Sequence, residues 1–450
     1  MDAFNENSNE QQAQQPMGCL HRFSKTIKVV IIGLLILLLM IPMFMIENLI
    51  SERGRTQEEA IDEVSEKWSL AQTITGPYLN LQYPVVTENN GEKKVSIKDL
   101  ILFPDELMVN GQLKTEILKR SIYEVNVYQS ELTLKGSFSS EELKKSRIDM
   151  DQLQFDRAAI CLNLTDMRGI SEQISITLGD SVYIFEPGMD NRGIANTGVH
   201  AIANLSELKQ NKKLPYEIKI KLKGSQSLNF IPLGKTTRVD LKANWNTPSF
   251  TGNYLPNNRN ITEKEFSAQW QVLNLNRNYS QVMADYNTSN IKDIENSSFG
   301  VNFKIPVEQY QQSMRSAKYA ILIILLTFGV IFFTEIMNNT RIHALQYLLV
   351  GLALCLFYSL LLSFSEHVGF NPAYLLSSAL TIILVGGYMF GITKKKKPSL
   401  IMSGLLGILY LYIFVLIQLE TFALLAGSLG LFIILAMVMY FSKKIDWFNE

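Results

Sequence analysis

Residues Ile41 to Trp68 read IPMFMIENLISERGRTQEEAIDEVSEKW, and this stretch decides how the rest of the chain is organised. Its beginning closes a hydrophobic run, whereas the remainder is charged and keeps the helical spacing of its apolar residues. Gly76-Pro77 ends the pattern. We therefore expect a membrane span that continues without interruption into a helical stalk over residues 47–75.

The hydrophobic run upstream of this stretch has the length of a transmembrane helix. Residues 27–46 comprise about twenty mostly apolar residues, enough to cross roughly 30 Å of hydrocarbon. The run leads into Ile-Glu-Asn-Leu-Ile and not into a small-residue cleavage site, which predicts an uncleaved anchor, transmembrane helix 1. Residues 1–26 are rich in Asn, Gln and Glu and predict a disordered cytoplasmic tail.

From Tyr78 the hydrophobic period changes to two. Apolar and polar side chains alternate in segments separated by Gly, Pro and Asn, which is typical of antiparallel strands with one wet face. We expect a large β-rich domain over residues 76–306, inserted between the first and second spans. Examples of such segments are Lys94–Phe103, Ser121–Gly136 and Thr237–Trp245.

The last third of the chain is mostly hydrocarbon. Residues 307–318 predict a second stalk helix, and residues 319–441 contain five further hydrophobic runs, which predict a five-helix transmembrane bundle. Residues 442–450 then form a second cytoplasmic tail. The sequence thus predicts a multi-pass α-helical membrane protein with six spans, at about Ile27–Ile46, Tyr319–Met337, Ala344–Phe364, Ala373–Ile392, Ser399–Leu419 and Phe422–Phe441.

Lysine and arginine near the span ends predict the orientation. Ten of them fall on one side of the membrane and four on the other, and the basic side is normally cytoplasmic. Both termini should therefore be cytoplasmic in a bacterial inner membrane, with residues 47–318 periplasmic. The basic side carries Arg22, Lys25, Lys28, Arg341, Lys394, Lys395, Lys396, Lys397, Lys443 and Lys444; the other carries Arg53, Arg55, Arg315 and Lys318.

Composition argues against several function classes. A net charge of +0 gives no basic surface for nucleic acid. The three cysteines, Cys19, Cys161 and Cys355, are too scattered for a disulfide framework or a cysteine metal site, and we expect no cofactor or metal. The β-rich domain has a single histidine, His200, and the chain has no Gly-x-Ser-x-Gly elbow, so a serine triad is not indicated.

Two loop motifs resemble ligand sites only in part. Gly234-Lys235-Thr236 lacks the first glycine of a phosphate loop, because Asn229 stands in its place, and a β-turn is the better interpretation. The acidic residues Asp149, Asp151 and Asp156 lack the central glycine and the final glutamate of a calcium-binding EF-hand loop. They indicate a solvated acidic loop.

Carboxylates in the hydrophobic third are the candidates for transport chemistry. Glu335 falls near the cytoplasmic end of its span, Glu420 in the turn between the last two spans, and Glu366 with His367 in an outer loop. These groups either act together in a conduit or cap helices and reach interfacial water. Neither interpretation is excluded by the sequence.

Four blocks of sequence together carry a family resemblance. They resemble the CreD family of bacterial inner-membrane proteins, also called cell envelope integrity proteins, and the chain departs from the family pattern at Ser69 and Ala344, where glycine and proline are expected. The blocks are Ile41-Pro42-Met43 through Glu52-Arg53, Arg55, Glu59-Ala60 and Lys67-Trp68 to Gly76-Pro77; Arg315-Ser316-Ala317-Lys318-Tyr319; Arg341-Ile342-His343 to Ser365-Glu366-His367; and Glu420 with Ala423-Leu424-Leu425 to Asp446-Trp447.

The resemblance implies an inner-membrane protein tied to envelope integrity, whose gene is under two-component control, and it assigns no catalytic residues. The leading interpretation is a non-enzymatic protein that couples a periplasmic β domain to a transmembrane bundle, with the lipid bilayer and envelope proteins or components as partners. The alternatives are a transporter or channel component and a periplasmic-facing enzyme acting on glycan or lipid. The candidate functional or structural positions are Glu52, Arg53, Arg55, Glu59, Trp68, Arg315, Lys318, Glu335, Arg341, His343, Glu366, His367 and Glu420.

Overall fold

Helix α1 (Ser24–Trp68) is a single helix of 45 residues and the longest element of the chain. The structure is a computed structural model that describes residues 24–89, 92–145, 148–189, 194–195, 197–210, 212–284, 288–303, 308–338, 341–419 and 422–443. Its described residues divide into two compact units, one within Gln57–Pro306, here called the β unit, and one within Met1–Thr56 and Val307–Glu450, here called the membrane unit. The membrane unit holds α1 up to Thr56, and the β unit holds its last turns.

Helix α1 covers only part of the predicted stalk, because it ends at Trp68 and strand β1 begins at Gln72. The prediction of a helix over residues 69–75 is therefore wrong, and the role of α1 as a stalk stays a prediction. Pairing explains the early end, because Gln72 already aligns with Leu228 of a neighbouring strand. Pro42 lies inside α1, where the membrane tolerates it.

The β unit consists of two sheets. One has the order β13-β17-β11-β1-β5-β9-β8, with β2 on β1 and β16 on β2, and the other has the order β14-β15-β12-β3-β4-β10-β6-β7. The strands are β1 (Gln72–Asn89), β2 (Glu92–Leu102), β3 (Glu106–Arg120), β4 (Tyr123–Phe138), β5 (Gln154–Leu164), β6 (Ser175–Leu178), β7 (Ser181–Ile184), β8 (Glu186–Pro187), β9 (Val199–Ala203), β10 (Leu214–Ser225), β11 (Ser227–Phe230), β12 (Thr236–Ala243), β13 (Ser249–Gly252), β14 (Asn258–Ile261), β15 (Phe266–Leu273), β16 (Val282–Ala284) and β17 (Phe299–Asn302); two helices, α2 (Glu141–Lys145) and α3 (Thr288–Asn296), complete the unit.

Most strand pairs are antiparallel, as the alternating pattern predicts. Two pairs are parallel, β1 with β11 and β3 with β12. The second sheet has the expected wet face: on β12, Val239 and Leu241 are buried while Arg238 and Lys242 are exposed.

Around Tyr78 and Leu79 the first sheet differs, because there it is buried on both faces. On β1, Leu79 belongs to the main core that the two sheets share, and its neighbour Tyr78 belongs to a second core on the opposite face. Phe103, Tyr279 and Ile294 of α3 cover that opposite face. The alternation in β1 therefore separates two apolar environments and not core from water.

In the part of the chain that the structure describes, the membrane unit contains α1 up to Thr56 and six further helices. They are α4 (Glu308–Lys318), α5 (Ala320–Asn338), α6 (Ala344–Val368), α7 (Phe370–Thr393), α8 (Lys396–Gln418) and α9 (Ala423–Ser442). Within the described residues, α1, α5, α6, α7 and α8 are long and apolar enough to cross a membrane. The apolar part of α9, Leu424–Tyr440, is shorter, so the sixth span stays a prediction.

Helix α4 packs within the membrane unit. It contacts α6, α7 and α8, and it buries Tyr310, Ser313 and Ala317, which share one helical face. A break at Tyr319 separates it from α5. The role of α4 as a second stalk stays a prediction.

Candidate functional sites along helix α1

Helix α1 packs into the membrane unit through one row of apolar side chains. Leu39, Met43, Ile46 and Ile50 follow one another at spacings of four, three and four residues and are almost fully buried. Leu39 rests directly on Gly351 of α6, where a Cβ atom would lie 2.1 Å from the Leu39 Cδ1 atom. A side chain at position 351 would therefore displace the end of Leu39, and glycine allows the close approach, as small residues often do between membrane helices.

One buried carboxylate joins the start of α1 to the bundle. Glu335 of α5 forms an ion pair with Lys28, and the Lys28 ammonium also donates to the Ile342 carbonyl at 3.1 Å. The second Glu335 oxygen accepts a hydrogen bond from the Tyr347 hydroxyl at 3.1 Å, and the first also accepts one from the Ile342 N–H at 3.1 Å. Both oxygens are thus satisfied, which is the arrangement that a largely buried charge requires.

A second carboxylate joins α1 to the far end of α6. Arg53 Nε lies 3.9 Å from Glu366 Oε1, and the Tyr310 hydroxyl of α4 donates to that same oxygen at 3.0 Å. The Glu366 side chain is 13% exposed and that of Arg53 is 48% exposed. The structure places Glu366 and His367 in the last turn of α6 and not in the loop that the sequence suggested.

The two carboxylates do not share a site. Glu335 contacts Tyr347 near the start of α6, whereas Glu366 lies in its last turn, and at 1.5 Å per residue the two positions are about 28 Å apart along the helix. Each carboxylate is balanced by a basic residue of α1, which is the arrangement of two structural ion pairs. Glu420 lies outside the described residues.

The other candidate positions have local roles or face outward. His343 caps α6, because its Nδ1 atom accepts a hydrogen bond from the Leu345 backbone N–H at 3.2 Å. The backbone N–H of His343 donates to Gln346 Oε1 at 3.0 Å. The exposed candidates are Glu52, Arg55, Glu59, Arg315, Lys318, Arg341 and His367. None of these seven is brought into the two carboxylate sites.

In the β unit, the last turns of α1 are fastened by polar contacts. The Lys223 ammonium lies 4.8 Å from the centre of the Trp68 ring, and the Trp68 indole N–H points at the Tyr128 carbonyl, 3.5 Å away. Glu63 pairs with Lys67 at 2.6 Å, as its spacing predicts, and with Arg120 of β3 at 3.1 Å. Candidate Trp68 therefore lies at a contact between α1 and the sheets.

Asp166 makes the largest set of hydrogen bonds at the junction between α1 and β1, and it was not identified as a candidate from the sequence. Its carboxylate accepts hydrogen bonds from the Leu70 N–H at 2.9 Å, from the Ser69 hydroxyl at 3.3 Å and from Arg168 at 3.0 Å. Burial alone would raise the pKa of Asp166, but the hydrogen bonds from Arg168 and Leu70 outweigh burial, so the pKa lies below its ordinary value. The sequence feature that could have identified Asp166 is its position as the N-cap residue of the short helical turn Met167–Gly169.

A buried cation in the second core was also missed. Arg277 is 8% exposed; its guanidinium donates to the Leu233 carbonyl at 3.0 Å and lies 4.3 Å from the centre of the Tyr279 ring. Burial lowers the pKa of Arg277, while the neighbouring Tyr279 opposes that shift. Carbonyl groups and aromatic faces thus solvate this cation, which marks it as a structural group.

The β unit offers little for catalysis at its histidine. His200 is nearly buried, and its Nδ1 atom lies 2.7 Å from the Gly188 carbonyl, so the ring bridges neighbouring segments. Within the described ranges, no group of three or more His, Cys, Asp or Glu residues is arranged to hold a metal ion.

Comparisons with known proteins match nearly the whole chain. The model of a family described as "Inner membrane protein CreD" matches residues 24–448. A protein of Escherichia coli strain K12, described in the same words, is 32% identical over 420 residues, which cover 92% of this chain and 91% of that protein. Both matches include α1, the β unit and the later membrane helices.

Proposed function

The chain belongs to the CreD family of inner membrane proteins, and on this premise we propose that it supports cell envelope integrity without catalysing a reaction, by coupling its β unit to its membrane helices. The observation that carries the proposal is the double attachment of α1. In the membrane unit α1 is paired with Glu335 and Glu366, and in the β unit its end is bound around Trp68 and Asp166.

The nature of the contacts supports coupling over simple tethering. A tether needs only chain connectivity, whereas α1 buries a continuous apolar row and supplies the basic partners of two largely buried carboxylates. Directly after α1, Asp166 accepts a hydrogen bond from the Leu70 N–H, and Arg168, which is paired with Asp166, donates to the Glu66 carbonyl of α1. Such contacts fix the position of α1 within each unit.

The proposal includes the orientation predicted from the basic residues. The β unit then lies in the periplasm, both termini lie in the cytoplasm, and α9 is the sixth span. Arg341 and Lys394–Lys397, which flank α6, α7 and α8, support this orientation.

A proline in the exposed stretch of α1 tests the coupling. In a strain lacking the gene, wild-type protein and the variants Ala60→Pro and Ala60→Ser are expressed to equal levels, and survival in detergent and in envelope-directed antibiotics is measured. Proline removes a backbone hydrogen bond and bends the helix, at about 3 kcal/mol or more, whereas serine keeps the helix. We expect Ala60→Pro to lose complementation while remaining inserted in the membrane, and Ala60→Ser to complement.

Two results would contradict the proposal. Full complementation by an inserted Ala60→Pro protein would leave α1 as a passive tether. Unchanged survival of the strain lacking the gene, with and without expressed protein, would argue against a role in envelope integrity altogether.

A further inference from the structure

The outer face of the second sheet carries a polar groove that none of the contacts described above uses. It forms where the segment Asn253–Asn258 stands beside the outward side chains of β12 and β15, and it encloses about 690 Å³. A second cavity of about 380 Å³ continues it and shares Asp240, Asn258 and Gln269 with it. The two cavities thus form one continuous groove along the outward side chains of β12, β14 and β15.

The side chains of the groove are dominated by amides. Six Asn or Gln residues line the larger cavity, together with one cation, Arg238, and one carboxylate, Asp240. Each amide offers a carbonyl acceptor and an NH₂ donor, so the lining of the larger cavity is close to neutral and dense in hydrogen-bonding groups. Two further cations, Lys242 and Arg259, line the smaller cavity. The amides are Asn253, Asn257, Asn258, Gln269, Gln271 and Asn276.

Several of these amides are held in place by their oxygens. Asn257 Oδ1 accepts from the Gln271 N–H at 2.7 Å, and Gln271 Oε1 accepts from Arg238 Nε at 3.3 Å. Asn276 Oδ1 accepts from the Leu273 N–H at 3.0 Å. Because these three oxygens are engaged within the protein, the NH₂ groups of Asn257, Gln271 and Asn276 are the atoms left to meet a ligand, and their positions are fixed in advance. Asn258 instead donates its NH₂ to Gln269 Oε1 at 3.4 Å.

One side of the groove is apolar. Leu255 is 67% exposed and Leu273 is 39% exposed, and both line the larger cavity. Tyr254 also lines this cavity, and its hydroxyl donates to the Asn276 carbonyl at 2.7 Å, which fixes the ring. A ligand for this groove must therefore present hydroxyl or amide groups on one side and C–H surface on another.

We propose that the larger cavity of this groove binds a neutral oligosaccharide of two or more rings. Sugar hydroxyls can accept hydrogen bonds from the amide NH₂ groups and donate to the Asp240 carboxylate, and the C–H faces of the rings match Leu255, Tyr254 and Leu273. The groove holds one carboxylate, Asp240, whereas glycoside hydrolysis uses two that flank the bond, so the sugar is bound and not cleaved. This binding goes beyond the proposed coupling role and does not depend on it.

The test is direct binding to full-length protein. The protein is purified in a polyoxyethylene detergent, since a maltoside headgroup would compete, and titrated calorimetrically with chitotetraose, with maltotetraose and with an extended peptide of similar length. Gln269→Ala and Gln271→Ala remove outward amides without touching the core. Gln129→Ala, an exposed outward residue on β4 of the same sheet, is the matched control.

We expect saturable binding of at least one tetrasaccharide, weakened about tenfold or more by Gln269→Ala and Gln271→Ala together, as the loss of charge-free hydrogen bonds in a preformed site implies. Gln129→Ala should bind as wild type does, with unchanged melting temperature in all variants. Absence of binding by both tetrasaccharides would overturn the proposal. The proposal would also be overturned if the groove variants bound the tetrasaccharide as tightly as the wild type does, or if the protein bound the peptide and neither tetrasaccharide.

Discussion

Helix α1 is held by an apolar row and two isolated ion pairs in the membrane unit, whereas in the β unit the residues directly after its end are held by a hydrogen-bonded network around one aspartate. In the first region the row Leu39 to Ile50 has close packing on Gly351 between the charged contacts. In the second region, the single carboxylate of Asp166 accepts hydrogen bonds from Ser69, Leu70 and Arg168. Lipid offers no hydrophobic drive between helices, so fit and buried charge must specify the first contact.

The largest effect is expected where the two helices touch. Gly351→Leu places a side chain on Leu39 and Phe328, and we expect it to lower the stability of the membrane unit by about 3 kcal/mol or more, or to prevent folding. Gly351→Ala should lower it by about 1–3 kcal/mol. Thermal unfolding in detergent, followed by circular dichroism and by size-exclusion chromatography, measures both.

Gly329→Ala is the matched control for this contact. It lies on α5 with no atom within 4 Å of its added Cβ, and helix propensity predicts a neutral or stabilising effect of up to about 1 kcal/mol. Equal destabilisation by Gly329→Ala and Gly351→Ala would show that the row on α1 is not held by close fit.

A somewhat smaller effect is expected in the β unit. Asp166→Ala removes the hydrogen bonds to Ser69, Leu70 and Arg168 and should cost about 2–3 kcal/mol, since Arg168 is more than half exposed. Hydrogen exchange of the amides at residues 69–72 should accelerate. The exposed Asp156→Ala serves as control and should change neither quantity.

The lowered pKa of Asp166 gives this prediction a pH dependence. A carboxylate whose folded pKa lies below its unfolded pKa of about 3.9 contributes stability above that value and loses it as the pH falls through the folded pKa. Protection of residues 69–72 should therefore drop below about pH 4 in the wild type and be less pH-dependent in Asp166→Asn. An unchanged pH profile in that variant would contradict the assignment.

The smallest effects separate the two ion pairs of the membrane unit. A double-mutant cycle with Lys28→Met and Glu335→Gln should give a coupling energy of about 1–3 kcal/mol, because Glu335 is largely buried and fully partnered. The same cycle with Arg53→Met and Glu366→Gln should give less than about 1 kcal/mol, since Arg53 is half exposed and 3.9 Å away.

The same variants address the transporter alternative. If Glu335→Gln and Glu366→Gln keep envelope protection whenever the protein remains folded, the two carboxylates are structural. Loss of function in a variant of unchanged stability would instead favour a conduit.

The sequence could predict those helices and strands that follow from the periodic spacing of apolar residues along the chain. The apolar runs of α5 to α8, the charged continuation of the anchor and the alternation of β12 are patterns of neighbouring residues, and the family match adds the class of protein. The pairing of β1 with β11 joins residues about 150 positions apart. No local pattern encodes such a register, because it depends on which long-range pairs bury the most surface.

The sites follow the same division. The apolar runs predicted that Glu335 and Glu366 lie near helix ends. They did not predict the partners Lys28 and Arg53, because both come from a helix about three hundred positions away in sequence. Asp166, Arg277 and the amides of the groove look like ordinary polar residues in sequence. Their environment is set by the two-sheet packing that buries or gathers them.

The position of β1 also constrains how the chain is made. Strand β1 follows α1 directly, yet two of its three partners, β5 and β11, end only at Leu164 and Phe230. At a synthesis rate of about 5–20 residues per second, β1 waits roughly ten seconds or longer with unpaired backbone groups. A ribosome stalled after β4 would therefore leave a nascent chain with an open strand edge, and aggregation or proteolysis is its expected fate.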